Sequence, residues 1–176
     1  SPMIGTIVAN ILRFVLLVLL QVLVLDHIDL ANGWAVPYLY VLFLLMLPLE
    51  LPDWAGLLIG AFTGFVMDVF SSTPGMHMSA CTVLMFARIH LLKLISPREG
   101  YEFGTRPNIP DMGVAWFLTY AGLLVVAHHL WLFLIELHSF RALGATFLRA
   151  LVSAAFTLLL CVLAQLLTTN SAQLRK

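Results

Sequence analysis

Residues 56–80 read GLLIGAFTGFVMDVFSSTPGMHMSA, and this stretch decides the fold. Its first half sets Gly56, Gly60, Gly64 and Asp68 at four-residue spacing. On a helix that spacing draws one slowly turning stripe, free of side-chain ridges and ended by a carboxylate. The surroundings are apolar, so the helix is expected in lipid. There, small residues let helices approach closely, and an ionisable group marks a functional candidate. A polar turn, Ser71-Ser72-Thr73-Pro74-Gly75, follows, and another helix leaves it carrying His77 and Arg88.

Composition agrees with lipid. Hydrophobic residues make up 61% of the 176, against nine basic and nine acidic side chains. No soluble domain of this length can hide so much aliphatic surface, which leaves an integral membrane protein. The formal net charge of zero gives a nucleic-acid partner no support. Cys81 and Cys161 sit inside apolar runs and read as small buried hydrophobes. Ser1-Pro2, ahead of Met3, reads as a leftover of expression and stays outside the fold reasoning.

Working outward, six apolar runs predict an all-α, single-domain bundle over residues 3–170. The spans are expected at about 7–25, 35–47, 54–70, 75–95, 112–137 and 144–167. Arg13 inside the first run argues against a cleaved signal peptide. The second run is short and contains Pro37, and Pro48 and Pro52 close it. It could form a re-entrant hairpin with the third run, but two short full spans are the preferred reading. Residues 97–111 (PREGYEFGTRPNIPD) form a surface loop, and 171–176 a polar tail. With six spans, Arg13, Lys93, Arg98, Arg106, Arg175 and Lys176 share the side of both termini, against Arg141 and Arg149 opposite. Both termini are therefore expected in the cytoplasm.

Depth decides which intramembrane charges can meet. Asp68 lies just before the turn at Ser72 and Arg88 far after it, so they differ in depth by roughly 18 Å at ~1.5 Å per residue. They are not expected to pair. Arg88 should instead reach Glu50 or Asp53, or snorkel to the cytoplasmic interface. Glu136 and Arg149 are nearly symmetric about the turn near Arg141, which predicts an ion pair at the periplasmic face. Asp68 and His77 share that outer layer, with His128 and His129 somewhat deeper, so a polar cluster is expected in the outer half.

Signs of chemistry are sparse. His128 and His129 are adjacent and point about 100° apart on a helix. No HExxH, no GxSxG and no phosphate loop occurs, and Ser153 and His128 are joined by no protease motif. Neither metal nor cofactor is expected, and nothing signals an enzyme.

Residues 21–88 resemble the bacterial rod shape-determining MreD family. The resemblance runs through Gln21 before a short acidic loop, then Pro37-Tyr38-Leu39-Tyr40 and the Leu47-Pro48-Leu49-Glu50 turn. It continues through the segment from Gly60 and Gly64 to Asp68, and ends at Thr73-Pro74-Gly75 leading to Ser79-Ala80. It implies a non-enzymatic inner-membrane component of the cell-elongation machinery, regulating peptidoglycan synthesis. The implied partners are MreC directly, and MreB, RodZ and RodA with its penicillin-binding-protein synthase in the same complex. The family is also similar to the six-helix substrate-binding subunits of energy-coupling-factor transporters, so a small-molecule-binding transporter subunit is the alternative. The short loop after the first helix, and that helix's lack of an Ala-x-x-x-Ala face, argue against transport. On this reading Gly56, Gly60, Gly64 and Asp68 form a helix-packing and partner-docking face. Arg88, Glu136, Arg149 and His77 are structural polar groups.

Overall fold

The computed structural model describes residues 2–137 and 139–169; the polar tail expected at 171–176 lies outside them. The described residues are helical apart from loops and one isolated bridge between Leu30 and Ala35. The helices are α1 (Pro2–Leu23), α2 (Val41–Leu45), α3 (Asp53–Ser71), α4 (Met76–Leu94), α5 (Ile109–Met112), α6 (Val114–Ile135) and α7 (Leu143–Thr168). Four of the helical stretches are long and apolar enough to cross a membrane: residues 3–27, α3, α6 and a stretch spanning α7.

The glycine stripe sets the tightest packing. Gly56, Gly60 and Gly64 are buried on α3, which packs more extensively on α4 than any other pair of elements. A Cβ at Gly64 would fall under 3.0 Å from the backbone of His77 and Met78, and one at Gly60 would meet Met85 Cγ at 2.5 Å. The two helices therefore touch backbone to backbone near the turn, as small residues permit in lipid. Of the packing and docking roles expected for Gly56, Gly60, Gly64 and Asp68, the structure shows the packing one: α4 of the same chain lies against the stripe. Ser72 (φ 54) and Gly75 (φ 80) take left-handed backbone to reverse the chain, and Pro74 stops α3 from continuing.

The second expected span, 35–47, is corrected as well. Only the five residues of α2 within it are α-helical. After a 3-10 turn at Ala31–Gly33, residues 34–40 lie outside any helix, consistent with Pro37 disfavouring helix at the residue before it. Residues 38–45 are buried without a break, and Tyr40, Val41, Leu44 and Leu45 have no exposed surface. The segment runs along α7: Val36 bonds Ser153, Tyr38 bonds Thr157 and Met46 meets Gln165. From Ser153 to Gln165 a helix rises about 18 Å, so this strut passes through much of the bundle's height. It lies among α4, α6 and α7, with Phe14 of α1 edge-on to Phe43 at 5.1 Å.

The loop 97–111 closes on itself. Arg106 donates from its backbone N and from Nε and Nη2 to Asp111, at 3.0 and 3.2 Å. Burial pushes the Asp111 carboxyl up, but these bonds outweigh that effect and hold it below its usual range. Ile109 N donates to Gln165 Oε1 at 2.8 Å, which ties the loop to α7. Phe103, at the loop's tip, is 94% exposed.

Candidate functional site

A non-helical backbone inside lipid must have its N–H and C=O groups satisfied by other parts of the protein. Five buried polar side chains of the bundle, Gln21, Arg88, Tyr120, Ser153 and Thr157, serve this need. Ser153 Oγ accepts from Val36 N at 3.0 Å, and Thr157 Oγ1 from Tyr38 N at 3.1 Å. Gln21 Nε2 donates to Pro37 O at 2.9 Å and to Asp26 Oδ1 at 2.7 Å. Tyr120 Oη donates to Leu45 O at 2.7 Å. Arg88 Nη2 donates to Leu47 O at 2.6 Å and to Pro48 O at 3.3 Å, while its Nε donates to Tyr120 Oη at 2.8 Å. The strut is thus held from four helices.

Arg88 does not do what the spacing predicted. It is 4% exposed and binds carbonyls, neither Glu50 nor Asp53. Asp53 pairs with Lys93 at 3.6 Å, and Glu50 accepts from Gly104 N. The depth argument that separates Arg88 from Asp68 agrees with the structure, since the two form no ion pair. What the spacing could not reveal is that the strut's carbonyls would reach Arg88 before any carboxylate.

At the outer end Asp68 is 6% exposed and caps α4 from the neighbouring helix. Its Oδ1 accepts from His77 N at 2.8 Å and Thr73 Oγ1 at 2.9 Å, and its Oδ2 from Met78 N at 3.1 Å. The α4 N-cap, Gly75, offers no side chain, so this carboxylate supplies the acceptor that a serine or aspartate cap would. His77 Nδ1 lies 3.1 Å from Asp68 Oδ1. Its Nε2 is buried with no hydrogen-bond partner among the described residues, and its ring lies 5.6 Å from Tyr38 and 6.0 Å from Tyr40, centre to centre.

A second hydrogen-bonded chain starts on the other side of those rings. Tyr40 Oη lies 3.4 Å from Cys81 Sγ and 2.7 Å from His128 Nε2. His128 Nδ1 lies 3.3 Å from His129 Nδ1, and His129 Nε2 is 2.9 Å from Thr157 Oγ1. A polar cluster therefore gathers around Tyr38 and Tyr40, without Glu136 and Arg149. Their expected ion pair is absent: Arg149 Nε donates to Gly33 O at 2.8 Å, and its guanidinium sits 4.9 Å from the Phe133 ring centre. The loop after α1 reaches back over α7 and offers the nearer acceptor. Among the described residues no group of three His, Cys, Asp or Glu could hold a metal ion.

Sequence reasoning missed Gln21, Tyr120, Ser153, Thr157 and Gln165 as holders of the strut. One signal was available. Ser153, Thr157, Cys161 and Gln165 stand four residues apart on α7 and are all buried, a polar counterpart of the glycine stripe. Ser153→Ala leaves the Val36 N–H without its acceptor inside the bundle, at a cost of about 1–3 kcal/mol. The thermal midpoint in detergent should fall by roughly 5 °C. Thr119→Ala, at an exposed position that bonds only its own helix, should leave it unchanged; equal effects of the two would remove the strut-holding role from Ser153.

Set against protein-family models, curated proteins and solved structures, the chain matches none.

Proposed function

We propose that this protein is a non-enzymatic inner-membrane scaffold of the bacterial cell-elongation machinery. On this reading it docks MreC and links peptidoglycan synthesis to MreB, RodZ and the RodA synthase. One observation carries the proposal: the separate segments that resemble the MreD family come together in a single structural unit. Pro37 to Tyr40 form the part of the strut that precedes α2, and the carbonyls of Leu47 and Pro48 end it on Arg88. Gly60 and Gly64 press α3 onto α4, and Asp68 caps α4 beyond the Thr73-Pro74-Gly75 turn. The strut and its four long neighbours give the chain six passes through the bundle, counting α4. On that count the distribution of Lys and Arg supports a reading with both termini in the cytoplasm.

The strut also weighs against the transporter-subunit alternative, because Tyr40, Leu44 and Leu45 fill the space among α4, α6 and α7 where a substrate would sit. Since α4 covers the glycine stripe, MreC must meet another surface. Co-expressed with MreC and solubilised in mild detergent, the chain should elute with it as one complex through size exclusion. Depletion in a rod-shaped host should give round cells. Elution as separate species, with cell shape unchanged on depletion, rejects the assignment.

A further inference from the structure

At the end of the bundle where α3 begins and α4 ends lies a cavity of about 280 Å³. Arg88, Lys93, Asp53 and Tyr101 line it together with apolar side chains such as Leu51 and Leu92. Arg88 is 4% exposed, and no carboxylate of the described residues lies within ion-pair distance of it. Its Nε and Nη2 are taken by Tyr120 and the strut carbonyls. Its Nη1 makes no hydrogen bond among the described residues. Lys93 and Asp53 pair at the rim, where both are well exposed, so their bond is weak and easily exchanged. The three charges around the cavity sum to a single positive one, and it belongs to a buried guanidinium.

A buried cation without a counter-ion is costly, the more so at a membrane. A phosphate would supply both the missing charge and acceptors for the free arm of the guanidinium fork. The volume falls just below the ~300–1,000 Å³ of pockets that enclose a drug-sized ligand, so it admits a headgroup and leaves acyl chains outside. Trp54, next to Asp53, and Leu94, next to Lys93, are exposed on the helix ends that frame the opening. Basic pockets between membrane helices hold anionic headgroups in this manner.

We propose that this cavity binds one anionic phosphate group, presented by a phospholipid of the leaflet that faces Arg88 and Lys93. This rests on the chain's embedding in lipid and is independent of the cell-elongation reading.

The test follows thermal unfolding of the full chain in an uncharged detergent during titration with phosphatidylglycerol, phosphatidylcholine or inorganic phosphate. At a hundredfold excess over its dissociation constant, phosphatidylglycerol should raise the midpoint by about 5–10 °C. Phosphatidylcholine, whose ammonium cancels the phosphate charge, should give less than half that shift, and inorganic phosphate none. Lys93→Glu, at an exposed position whose change leaves the fold intact, should weaken the phosphatidylglycerol effect roughly tenfold or more in concentration. Arg88→Gln should abolish it, and if that variant does not fold, the Lys93→Glu titration decides alone. Equal shifts with the two lipids, or an unaltered titration in Lys93→Glu, overturn the site. A shift with inorganic phosphate and none with lipid overturns the lipid as its source.

Discussion

Gly64→Ala is expected to lower the thermal midpoint of the detergent-solubilised protein by about 10 °C, close to 3 kcal/mol for a chain of this size. The added methyl would meet the carbonyl oxygen of His77 and Cα of Met78, which are backbone atoms and cannot rotate aside. Relief requires α3 and α4 to separate, and separation pulls Asp68 away from the His77 and Met78 amides it caps. The same change should be milder at Gly60, where the methyl meets Met85 Cγ at 2.5 Å and the Cys81 carbonyl at 3.1 Å. At Gly56 the methyl meets only side-chain ends, Met85 Cε at 3.0 Å and Leu51 Cδ2 at 3.7 Å. There the better helix propensity of alanine, about 1 kcal/mol over glycine, should leave stability unchanged or raised. The expected order of harm is therefore Gly64, Gly60, Gly56. If Gly64→Ala unfolds at or above the wild-type temperature, the close approach at the turn does not set the fold's stability.

The gradient also shows how far the sequence could be read. Four-residue spacing of glycines revealed a close helix contact, because sterics leave few other uses for such a stripe in lipid. It could not say whose helix fills the groove, since one from this chain and one from a partner place the same demand on it. The extent of helix in the second run failed for a different reason. Residues 35–47 have the apolar character of a span, but hydropathy measures transfer into lipid and is indifferent to backbone conformation. Pro37 and Pro48, eleven residues apart, limit the helix that can form between them, a limit that apolar character alone does not register.

The charges failed in a related way. Glu136 with Arg149, and Arg88 with Glu50 or Asp53, were matched by depth and sign alone. Both arginines chose backbone carbonyls instead: Gly33 for Arg149, and Leu47 and Pro48 for Arg88. Carbonyls in a continuous helix are already occupied and do not compete for a guanidinium. Those of an interrupted chain or a loop do compete: Leu47 and Pro48 end the strut, and Gly33 lies in the loop after α1. Asp68 and His77 were placed correctly in one layer because they flank a tight turn, where sequence distance fixes spatial distance.

The second large effect is expected at Arg88, and it reports on the strut more than on global stability. Arg88→Met keeps length and apolar bulk but removes the donors to Leu47 O, Pro48 O and Tyr120 Oη. Hydrogen bonds from a charged group are worth about 1.5–3 kcal/mol each. Relief from burying an unpaired guanidinium returns several kcal/mol, so the net loss of stability should be modest. Local order is another matter, because the change leaves the Leu47 and Pro48 carbonyls without the donor that ties them to α4. The inner end of the strut should open, and Tyr40 should withdraw from Cys81, its neighbour at 3.4 Å. Cys81 has no exposed surface in the closed bundle, which makes its thiol a native probe. A destabilisation of the closed strut by about 2–3 kcal/mol raises the open population roughly 30- to 150-fold. Labelling of Cys81 by a membrane-permeant maleimide, resolved by peptide mass spectrometry, should accelerate by at least about tenfold. Arg88→Lys should fall between, since one ammonium cannot span two carbonyls and a phenol as a planar fork does. If Cys81 labelling is unchanged in a folded Arg88→Met protein, the arginine does not hold the strut. Its burial would then serve only the cavity beside Lys93, where its charge alone matters.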